Sequence, residues 1–463
     1  MLMVAAACGQ KPGVVDSTAV TTASGEEGVI DSSGNLIDPE TGEVLATAEE
    51  LASGSETTGG GGTTTTTTGG GSSTDDGGSD TAAGPSGGEE PAPSGGDSTG
   101  VEGDTIKIGI HAPITGAAPV PSQSFDKGKD LYWEYLRNSN QSINGRNVEV
   151  VFRNDNYNPS QAVAACREMV EDEKVFLLVG IAGTDQIQAC ARYAASVGVP
   201  YVSAGVTEIG LTTLRNYFAI WMTYPQQGPL LADLLVTKLG AKNEKNGMVR
   251  FNTPTFTDGH DAWVSAMEEA GASVDYDRAV SKTAGTSEAQ TIATELRTQG
   301  IENVHVLVSP TFFIQLAQTA ANQQYKPQYV GYGLTKGLDT VANVACKNSQ
   351  SIQNARFLSP FPAFFDSNRF DPDFRKAGGT DDIMFGLWGS SKVIATMLKN
   401  AGKDLTREGF IYANERASTI KTGVFPDVKF SSSDHLGGSA MHLLRADCPN
   451  NRFVTEQAFV SDF

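Results

Sequence analysis

The sequence has few of the residues that catalytic and metal-binding motifs require. Five cysteines and five histidines occur among 463 residues; the cysteines form no CxxC pair and the histidines are scattered. A zinc site needs closely spaced ligands, so we expect no metal. No HExxH, no Walker loop and no GxSxG elbow between a strand and a helix is present. We therefore expect neither an enzyme nor a cofactor, although catalytic groups assembled from distant residues would leave no motif.

Long apolar runs and basic residues are also scarce. No stretch approaches the roughly 18 to 20 apolar residues of a membrane-spanning helix. Lys and Arg number 34 against 54 Asp and Glu, and we expect no nucleic-acid partner. Between residues 9 and 103, 17 acidic residues face the single Lys11, so the rest of the chain carries only about −4 of the net charge of −20. The acidity therefore belongs to this segment.

Residues 9–103 are rich in Gly, Ser and Thr, as in GGGGTTTTTTGGGSST. Such a composition buries too little apolar surface to offset chain ordering, so it predicts a disordered acidic linker. One run inside it, VIDSSGNLIDPETGEVLATAEEL, is β-like and is an alternative candidate for a transient hairpin or a docking segment.

The first eight residues, MLMVAAAC, resemble the lipobox of a bacterial lipoprotein signal, in which Cys8 becomes the lipidated first residue. The run is short, Ala5 stands where Leu is usual, and no basic residue precedes it. An ordinary apolar N-terminus is the alternative. If the resemblance holds, the protein is extracytoplasmic and anchored to the bacterial cell membrane, with residues 9–103 as a tether.

From Asp104 the apolar pattern alternates between strands and helices. Strand-like runs such as TIKIGIHAPI, NVEVVFRND, VPYVSAG, GMVRF and VHVLVS recur every 25 to 35 residues, with helical periodicity between them. This order predicts an α/β fold with doubly wound parallel sheets. About 360 residues exceed one such sheet. We therefore expect two lobes within residues 104–463.

The segment VFLLVGIAGTDQIQAC predicts a strand, a small-residue loop and a helix start. Thr184 and Asp185 stand where a helix would have its N-cap, so backbone N–H groups and the positive end of a helix dipole should face outward. Ligands of open α/β sheets bind beyond the carboxyl ends of the strands. This predicts Gly183, Thr184, Gly205 and Thr207 together at one edge.

The order TIKIGIHAPITG, NGRNVEVVFRNDNYNPSQAVAACREMVEDEKVFLLVG and GVPYVSAGVTE resembles the type I periplasmic binding proteins, specifically the Leu/Ile/Val substrate-binding family of ABC importers. The likeness covers Asp104 to about Ala446. It implies a three-stranded hinge, with crossings near Thr223, Gly331 and Ala446. Lobe 1 would comprise residues 104–222 and 332–446, and lobe 2 residues 223–331 and 447–463.

The resemblance implies a ligand site in the cleft. Thr184 corresponds to the hydroxyl that binds a ligand carboxylate, together with Gly183, and the next strand end contributes Ser203, Gly205 and Thr207. Alternatively, Thr184 is only an N-cap and Thr207 only a turn hydroxyl.

In the second lobe, Phe256 stands where amino acid binders place an aromatic residue. Those proteins pair the ligand ammonium with a carboxylate near the position of Thr286; here Glu288 lies two residues further on. A buried ammonium without a counter-charge is costly. Either Glu288 or another acid replaces it, or the ligand is not an α-amino acid.

Four cysteines remain besides Cys8. An exported chain favours two disulfides, for which three connectivities exist. Cys166 and Cys190 lie on helices expected to be neighbours, so we pair them, which leaves Cys346 with Cys448.

The sequence thus predicts a monomeric solute-binding lipoprotein that captures a small amino acid-like or carboxylate-bearing molecule by lobe closure and delivers it to an ABC permease. The alternative is a sensory or adhesive binding protein on the same scaffold.

Overall fold

The computed structural model describes residues 95–332 and 337–463 and four short strands nearer the N-terminus. These strands, paired antiparallel in sequence order, are β1 (Val20–Thr21), β2 (Glu27–Ile30), β3 (Leu36–Ile37) and β4 (Val44–Ala46). Three of them fall in or beside the β-like run of the expected linker. The rest of the linker and Cys8 lie outside the described residues, so the tether and the lipid anchor stay predictions. The chain divides into two compact units, Met1–Gly87 and Gly88–Phe463.

The second unit alternates strands and helices, as predicted. Its first part contains β5 (Val101–Glu102), β6 (Thr105–Ala112), α1 (Ser122–Asn138), β7 (Asn147–Asn154), α2 (Pro159–Glu171), β8 (Leu177–Gly180), α3 (Thr184–Ser196), β9 (Tyr201–Ser203) and β10 (Tyr217–Ala219). Its middle part contains α4 (Tyr224–Asp233), β11 (Asn246–Phe251), α5 (Pro254–Glu269), β12 (Tyr276–Val280), α6 (Thr286–Gln299), β13 (Asn303–Leu307), α7 (Pro310–Asn322), β14 (Gln328–Gly331), α8 (Leu338–Ser349) and β15 (Arg356–Ser359). Its last part contains α9 (Ser367–Phe370), α10 (Pro372–Lys376), α11 (Asp382–Asn400), α12 (Arg407–Arg416), β16 (Met441–Asp447) and β17 (Arg452–Val460).

The first sheet has the parallel order β10-β9-β8-β6-β7, and β5 pairs antiparallel with the start of β6. All four residues of β8 are buried. A parallel strand covered on both faces has an unbroken apolar sequence, which is why VFLLVG reads as a continuous run.

None of the helices in the described part of the chain is both long and apolar enough to cross a bilayer.

The second sheet has the order β12-β11-β13-β14-β15-β16-β17, parallel as far as β15 and antiparallel beyond it. Together the two sheets confirm the predicted fold class of two parallel-dominated α/β lobes.

The lobe boundaries differ from those expected. β15 pairs with β14, so β15 belongs to the second sheet and the preceding helix α8 to the second lobe. The second crossing therefore follows Ser359 instead of lying near Gly331. The chain then reaches the first lobe, where Trp388 of α11 packs edge-on against Tyr132 of α1, with ring centroids 4.9 Å apart. β16 already belongs to the second sheet from Met441, before the crossing expected near Ala446. The sequence shows the alternation of elements but not which sheet each strand joins.

The two predicted disulfides are present. Cys166 of α2 is bonded to Cys190 of α3, with Cα atoms 6.1 Å apart. Cys346 of α8 is bonded to Cys448, just after β16, with Cα atoms 4.7 Å apart. His111 lies close to the first bridge. Because both sulfurs are already bonded to each other, they are not available as metal ligands.

Candidate ligand-binding cleft

The loop between β8 and α3 brings backbone N–H groups to the edge of the first sheet. Gly183 is the N-cap residue with a φ of +85°, and α3 begins at Thr184 without a side chain that caps its first turn. The expectation that Thr184 or Asp185 caps this helix is therefore wrong. An uncapped N-terminus leaves N–H groups and the positive end of the helix dipole for an anion.

A cavity of about 180 Å³ lies between the lobes at this loop. Its walls come from the loops that follow β6, β7, β8 and β9 in the first lobe, from the ends of β11 and β13 and the start of α8 in the second, and from the three crossings. The lining residues are Ala118, Pro119, Val120, Pro121, Tyr157, Ile181, Ala182, Gly183, Thr184, Ala204, Gly205, Val206, Trp221, Tyr224, Gln227, Phe251, Phe256, Val308, Ser309, Pro310, Thr311, Ile314, Gly337, Thr340, Pro360, Ile383 and Met441. Most are apolar, and none of these described residues carries a charge.

The polar groups of the cavity wall are neutral. Burial raises the pKa of Tyr224 to about 12, and a hydrogen bond with the Thr184 hydroxyl opposes that shift only in part. Burial also raises the pKa of Tyr157. Both phenols therefore remain protonated at neutral pH and can donate hydrogen bonds. Ser309 caps α7 by accepting the Phe312 N–H at 3.3 Å.

Four of the predicted site residues, Gly183, Thr184, Gly205 and Phe256, line the cavity together. Gly205 also lies against the first crossing. A Cβ at this position would be 2.1 Å from the carbonyl oxygen of Trp221, so only glycine permits this close approach.

Ser203 and Thr207 do not line the cavity, which corrects the expectation for both. Ser203 is buried and its Oγ donates to the Ala204 carbonyl oxygen at 2.5 Å. Thr207 is also buried, and its Oγ1 donates to the Asp258 carboxylate at 2.6 Å. Each hydroxyl therefore has a protein partner.

Thr286 and Glu288 also lie away from the cavity wall. Thr286 is the first residue of α6, and Glu288 forms an ion pair with Arg278 at 2.8 Å. Of the alternatives left open by the sequence, a counter-charge from Glu288 is the one that this arrangement disfavours, because its carboxylate is paired with Arg278 and does not line the cavity.

Two other carboxylates near the cavity link the lobes to each other. Asp185, on α3, contacts the Lys282 ammonium and the Thr255 hydroxyl of the second lobe. Asp258, on α5, accepts the hydrogen bond from Thr207 of the first lobe. Burial raises the pKa of Asp258 in spite of this hydrogen bond. Both acids have partners on the opposite lobe, and the lobes are closed on each other.

A third link joins the N-termini of α8 and α11. The Asp382 carboxylate accepts the N–H groups of Gly337 at 3.0 Å and Asp339 at 3.3 Å. The Asp339 carboxylate in turn accepts the Asp382 N–H. Burial, with repulsion from neighbouring Asp381, raises the pKa of Asp339 to about 6, and burial raises that of Asp382 as well.

Gln227 and Ser309 line the cavity but were not predicted. Each stands near the start of a helix, in TYPQQG and VSPTF, where a capping residue precedes a proline. This pattern marks a helix start. A helix start that directly follows a crossing, as for Gln227, or a strand end, as for Ser309, lies at the cleft, and this signal could have identified both residues.

Two α/β lobes that enclose a ligand-sized cavity define the class of solute-binding proteins. The family model described as periplasmic binding protein matches residues 105–452, and the chain belongs to this family. The chain is 28% identical over 203 residues to Leu/Ile/Val-binding protein homolog 3 of Brucella melitensis, covering 43% of this chain and 53% of that protein. It is 29% identical over 140 residues to an amino acid binding protein of Pseudomonas aeruginosa, covering 30% and 37%. The chain thus spans about half or less of the length of these relatives.

Solved structures share the fold. A fatty acid ABC transporter substrate-binding protein from Thermomonospora curvata superposes with a TM-score of 0.66 at 17% identity, covering 79% of this chain and 95% of that one. A solute-binding protein of an ABC transporter from R. palustris, in complex with benzoate, gives 0.64 at 17%, covering 76% and 96%. A branched chain amino acid ABC transporter protein from Thermus thermophilus with bound valine gives 0.63 at 16%, covering 76% and 95%. At these identities the likeness shows the fold alone.

Proposed function

We propose that this chain is the extracytoplasmic solute-binding lipoprotein of an ABC importer and captures a small, apolar molecule that bears a carboxylate but no amine. The observation that carries the proposal is the uncapped N-terminus of α3, which opens into a cavity without a charged side chain among its described lining residues.

The carboxylate is assigned to the first turn of α3. Gly183 and Thr184 line the cavity there, and the nearby Tyr224 phenol is neutral and able to donate. Backbone N–H groups, two hydroxyls and the helix dipole stabilise an anion without requiring a cation.

The absence of an amine follows from the acids around the cavity. Asp185 has Lys282 as its partner, Asp258 has Thr207, and Glu288 has Arg278. An ammonium bound among these described groups would have to displace one of those contacts or remain without a counter-charge, and both are costly. The apolar wall, with aromatic rings such as Phe256, instead fits a hydrocarbon or aromatic body.

Capture proceeds by closure of the lobes. Because the cavity has walls from both lobes, a ligand gains its full set of contacts only when they are closed, and it shifts the population toward that state. A permease that recognises the closed rim would then receive only the loaded protein.

Replacement of Thr184 by Val tests the carboxylate assignment. Loss of one hydrogen bond to a charged group should weaken the binding of an acid such as phenylacetate about 10- to 100-fold. Isothermal titration calorimetry measures the affinity, and quenching of the cleft residue Trp221 provides an independent signal. Thr294→Val, at an exposed position of α6, is the matched control and should bind as the wild type does. Unchanged affinity in Thr184→Val would contradict the assignment.

The anchor and the importer need separate tests. The motif before Cys8 supports lipidation, which a Cys8→Ser variant should abolish, releasing the protein from the membrane fraction of a bacterial host. Deletion of the gene should remove uptake of the acid identified by calorimetry. Uptake that persists would instead favour a sensory or adhesive role.

A further inference from the structure

Tyr157 lines the cavity from the turn between β7 and α2. Its backbone has a φ of +57°, and that of the preceding Asn156 has a φ of +52°. Two successive left-handed residues other than glycine are strained, and such strain persists only where the surrounding structure imposes it. The turn therefore fixes the point at which the Tyr157 side chain leaves the backbone.

The first lobe imposes this turn through contacts on two sides. Oδ1 of the buried Asp155 accepts the Tyr157 N–H at 2.9 Å, and its Oδ2 is bonded to Nδ1 of the buried His111 at 2.8 Å. On the other side, a Cβ at Gly116 would be 2.1 Å from the Asn156 carbonyl oxygen, so the loop after β6 lies directly against the turn. The backbone of Tyr157 cannot relax without moving both neighbours.

The second lobe holds the ring of Tyr157. The Lys282 ammonium lies 4.9 Å from the ring centroid, within the range of a cation–π contact. The same ammonium is paired with the Asp185 carboxylate, on the first turn of α3. The Tyr157 ring therefore lies beside the first turn of α3, where the ligand carboxylate is assigned.

The Tyr157 hydroxyl has no hydrogen-bond partner in the described part of the chain. Burial raises its pKa, and the nearby Tyr224 and Asp185 raise it further, which places the hydroxyl in front of α3. The oxygen nevertheless keeps accessible surface, unlike the enclosed unpaired atoms of the interior. The other phenol of the wall, Tyr224, shares a hydrogen bond with the Thr184 hydroxyl. Tyr157 thus offers the cavity an unpaired donor that is largely withdrawn from water, and such a donor indicates a missing acceptor.

We propose that Tyr157 is a ligand-binding residue, whose hydroxyl donates to one oxygen of a carboxylate bound at the first turn of α3. This inference rests on the proposed function, because it concerns the same acid. The N–H groups of α3 and the Thr184 hydroxyl bind one carboxylate oxygen, and the Tyr157 hydroxyl binds the other. Because Lys282 holds the ring only when the lobes are closed, this hydrogen bond favours the closed conformation.

Tyr157→Phe tests the inference, because it removes the hydroxyl and keeps the ring beside Lys282. Calorimetry compares its affinity with that of the wild type for phenylacetate, isocaproate and benzoate. The acid that binds the wild type most tightly should bind the variant at least about tenfold more weakly, in line with the loss of a hydrogen bond to a charged group. Unchanged affinity would overturn the inference and leave the proposed function intact. Failure of all three acids to bind the wild type would overturn both.

Thermal unfolding without ligand separates a binding role from a structural one. A hydroxyl without a protein partner adds nothing to the stability of the ligand-free protein, so Tyr157→Phe should unfold at the same temperature as the wild type or at a higher one. The matched control is Tyr276→Phe, because the Tyr276 hydroxyl, on β12, donates to the Glu295 carboxylate at 2.7 Å and does not line the cavity. This control should unfold at a lower temperature and bind the acid as the wild type does. A Tyr157→Phe protein that loses as much stability as Tyr276→Phe would contradict the inference, because its hydroxyl would then stabilise the fold.

Discussion

Gly183 determines how α3 faces the cleft. Its φ of +85° lies in the left-handed region, and a Cβ there would be 2.4 Å from Oε1 of the buried Gln186. A larger residue would have to relax its backbone and move the Gln186 side chain at the same time. The first turn of α3 would then shift away from the cavity.

Gly183→Ala should therefore lower the free energy of unfolding by about 1–3 kcal/mol and weaken carboxylate binding at least tenfold. Gly198, just beyond the other end of α3, has a φ of +68° but no atom within 4 Å of a Cβ. Gly198→Ala carries the backbone strain without the collision and should leave binding unchanged. Urea denaturation and calorimetry measure the two effects. Equal loss of affinity in both variants would show that strain alone matters.

For individual residues, the sequence predicted which loops lie at the cleft better than it predicted the hydrogen-bond partner of each side chain. Gly183, Thr184 and Gly205 were found because strand ends and small residues are local signals. Thr207 was assigned to the ligand from its place after a strand end and from the family resemblance. Its hydrogen-bond partner, Asp258, was not foreseen, because it lies 51 residues away and on the other lobe. A pairwise contact of this kind leaves no pattern in one sequence.

Among the larger elements, α3, α5 and the segment after β12 are joined across the cleft by Asp185, Lys282 and Thr255. The two charged side chains are mostly buried, at 17% and 18% exposure. Such a contact forms only when the lobes are closed. It therefore stabilises the closed conformation without contacting the ligand.

Lys282→Met should open the lobes and weaken acid binding about three- to thirtyfold, because the ligand must then supply the closing free energy that the ion pair gave. Small-angle X-ray scattering should show a larger radius of gyration without ligand. Lys376→Met removes an exposed lysine paired with Asp373 within one lobe and should change neither quantity. A closed, tightly binding Lys282→Met protein would contradict this role.

The link between α8 and α11 should make stability depend on pH. The folded-state pKa of Asp339, about 6, exceeds its ordinary value, so the native state binds more protons and its stability falls as pH rises from about 4 through 6. Asp381 raises this pKa and Arg375 lowers it. Asp339→Asn keeps the acceptor oxygen and should raise stability by about 1–3 kcal/mol at pH 7.5, with little effect at pH 4.

Thermal unfolding at both pH values measures this difference. Asp404→Asn, at an exposed position of the first lobe, should have no effect at either pH. An equal gain from Asp339→Asn at pH 4 and at pH 7.5 would show that the carboxyl group does not titrate as expected.

Strand and helix order followed from the sequence because each element carries its own apolar period. The disulfide between α2 and α3 followed as well, since consecutive helices of a doubly wound sheet lie side by side. The placement of β15 did not, because the unit from β14 through α8 to β15 has the same local pattern whether or not the chain changes lobe.

At the level of the two lobes, closure and the lack of charge on the described cavity wall have the same cause. The acids near the cleft, Asp185 and Asp258, bind the opposite lobe, so closure itself occupies the groups that an ammonium would need. The sequence raised this question through Thr286, but only the folded structure of the second lobe shows that Glu288 of α6 is paired with Arg278 of β12.

The affinities of the purified chain for phenylacetate and phenylglycine, and for isocaproate and leucine, distinguish an acid binder from an amino acid binder. Each pair shares its carboxylate and its apolar body and differs only in the amine. Side-by-side calorimetry at neutral pH should show the acid of at least one pair binding at least tenfold more tightly than the amino acid. Tighter binding of leucine or phenylglycine would contradict a cleft without a counter-charge for an ammonium.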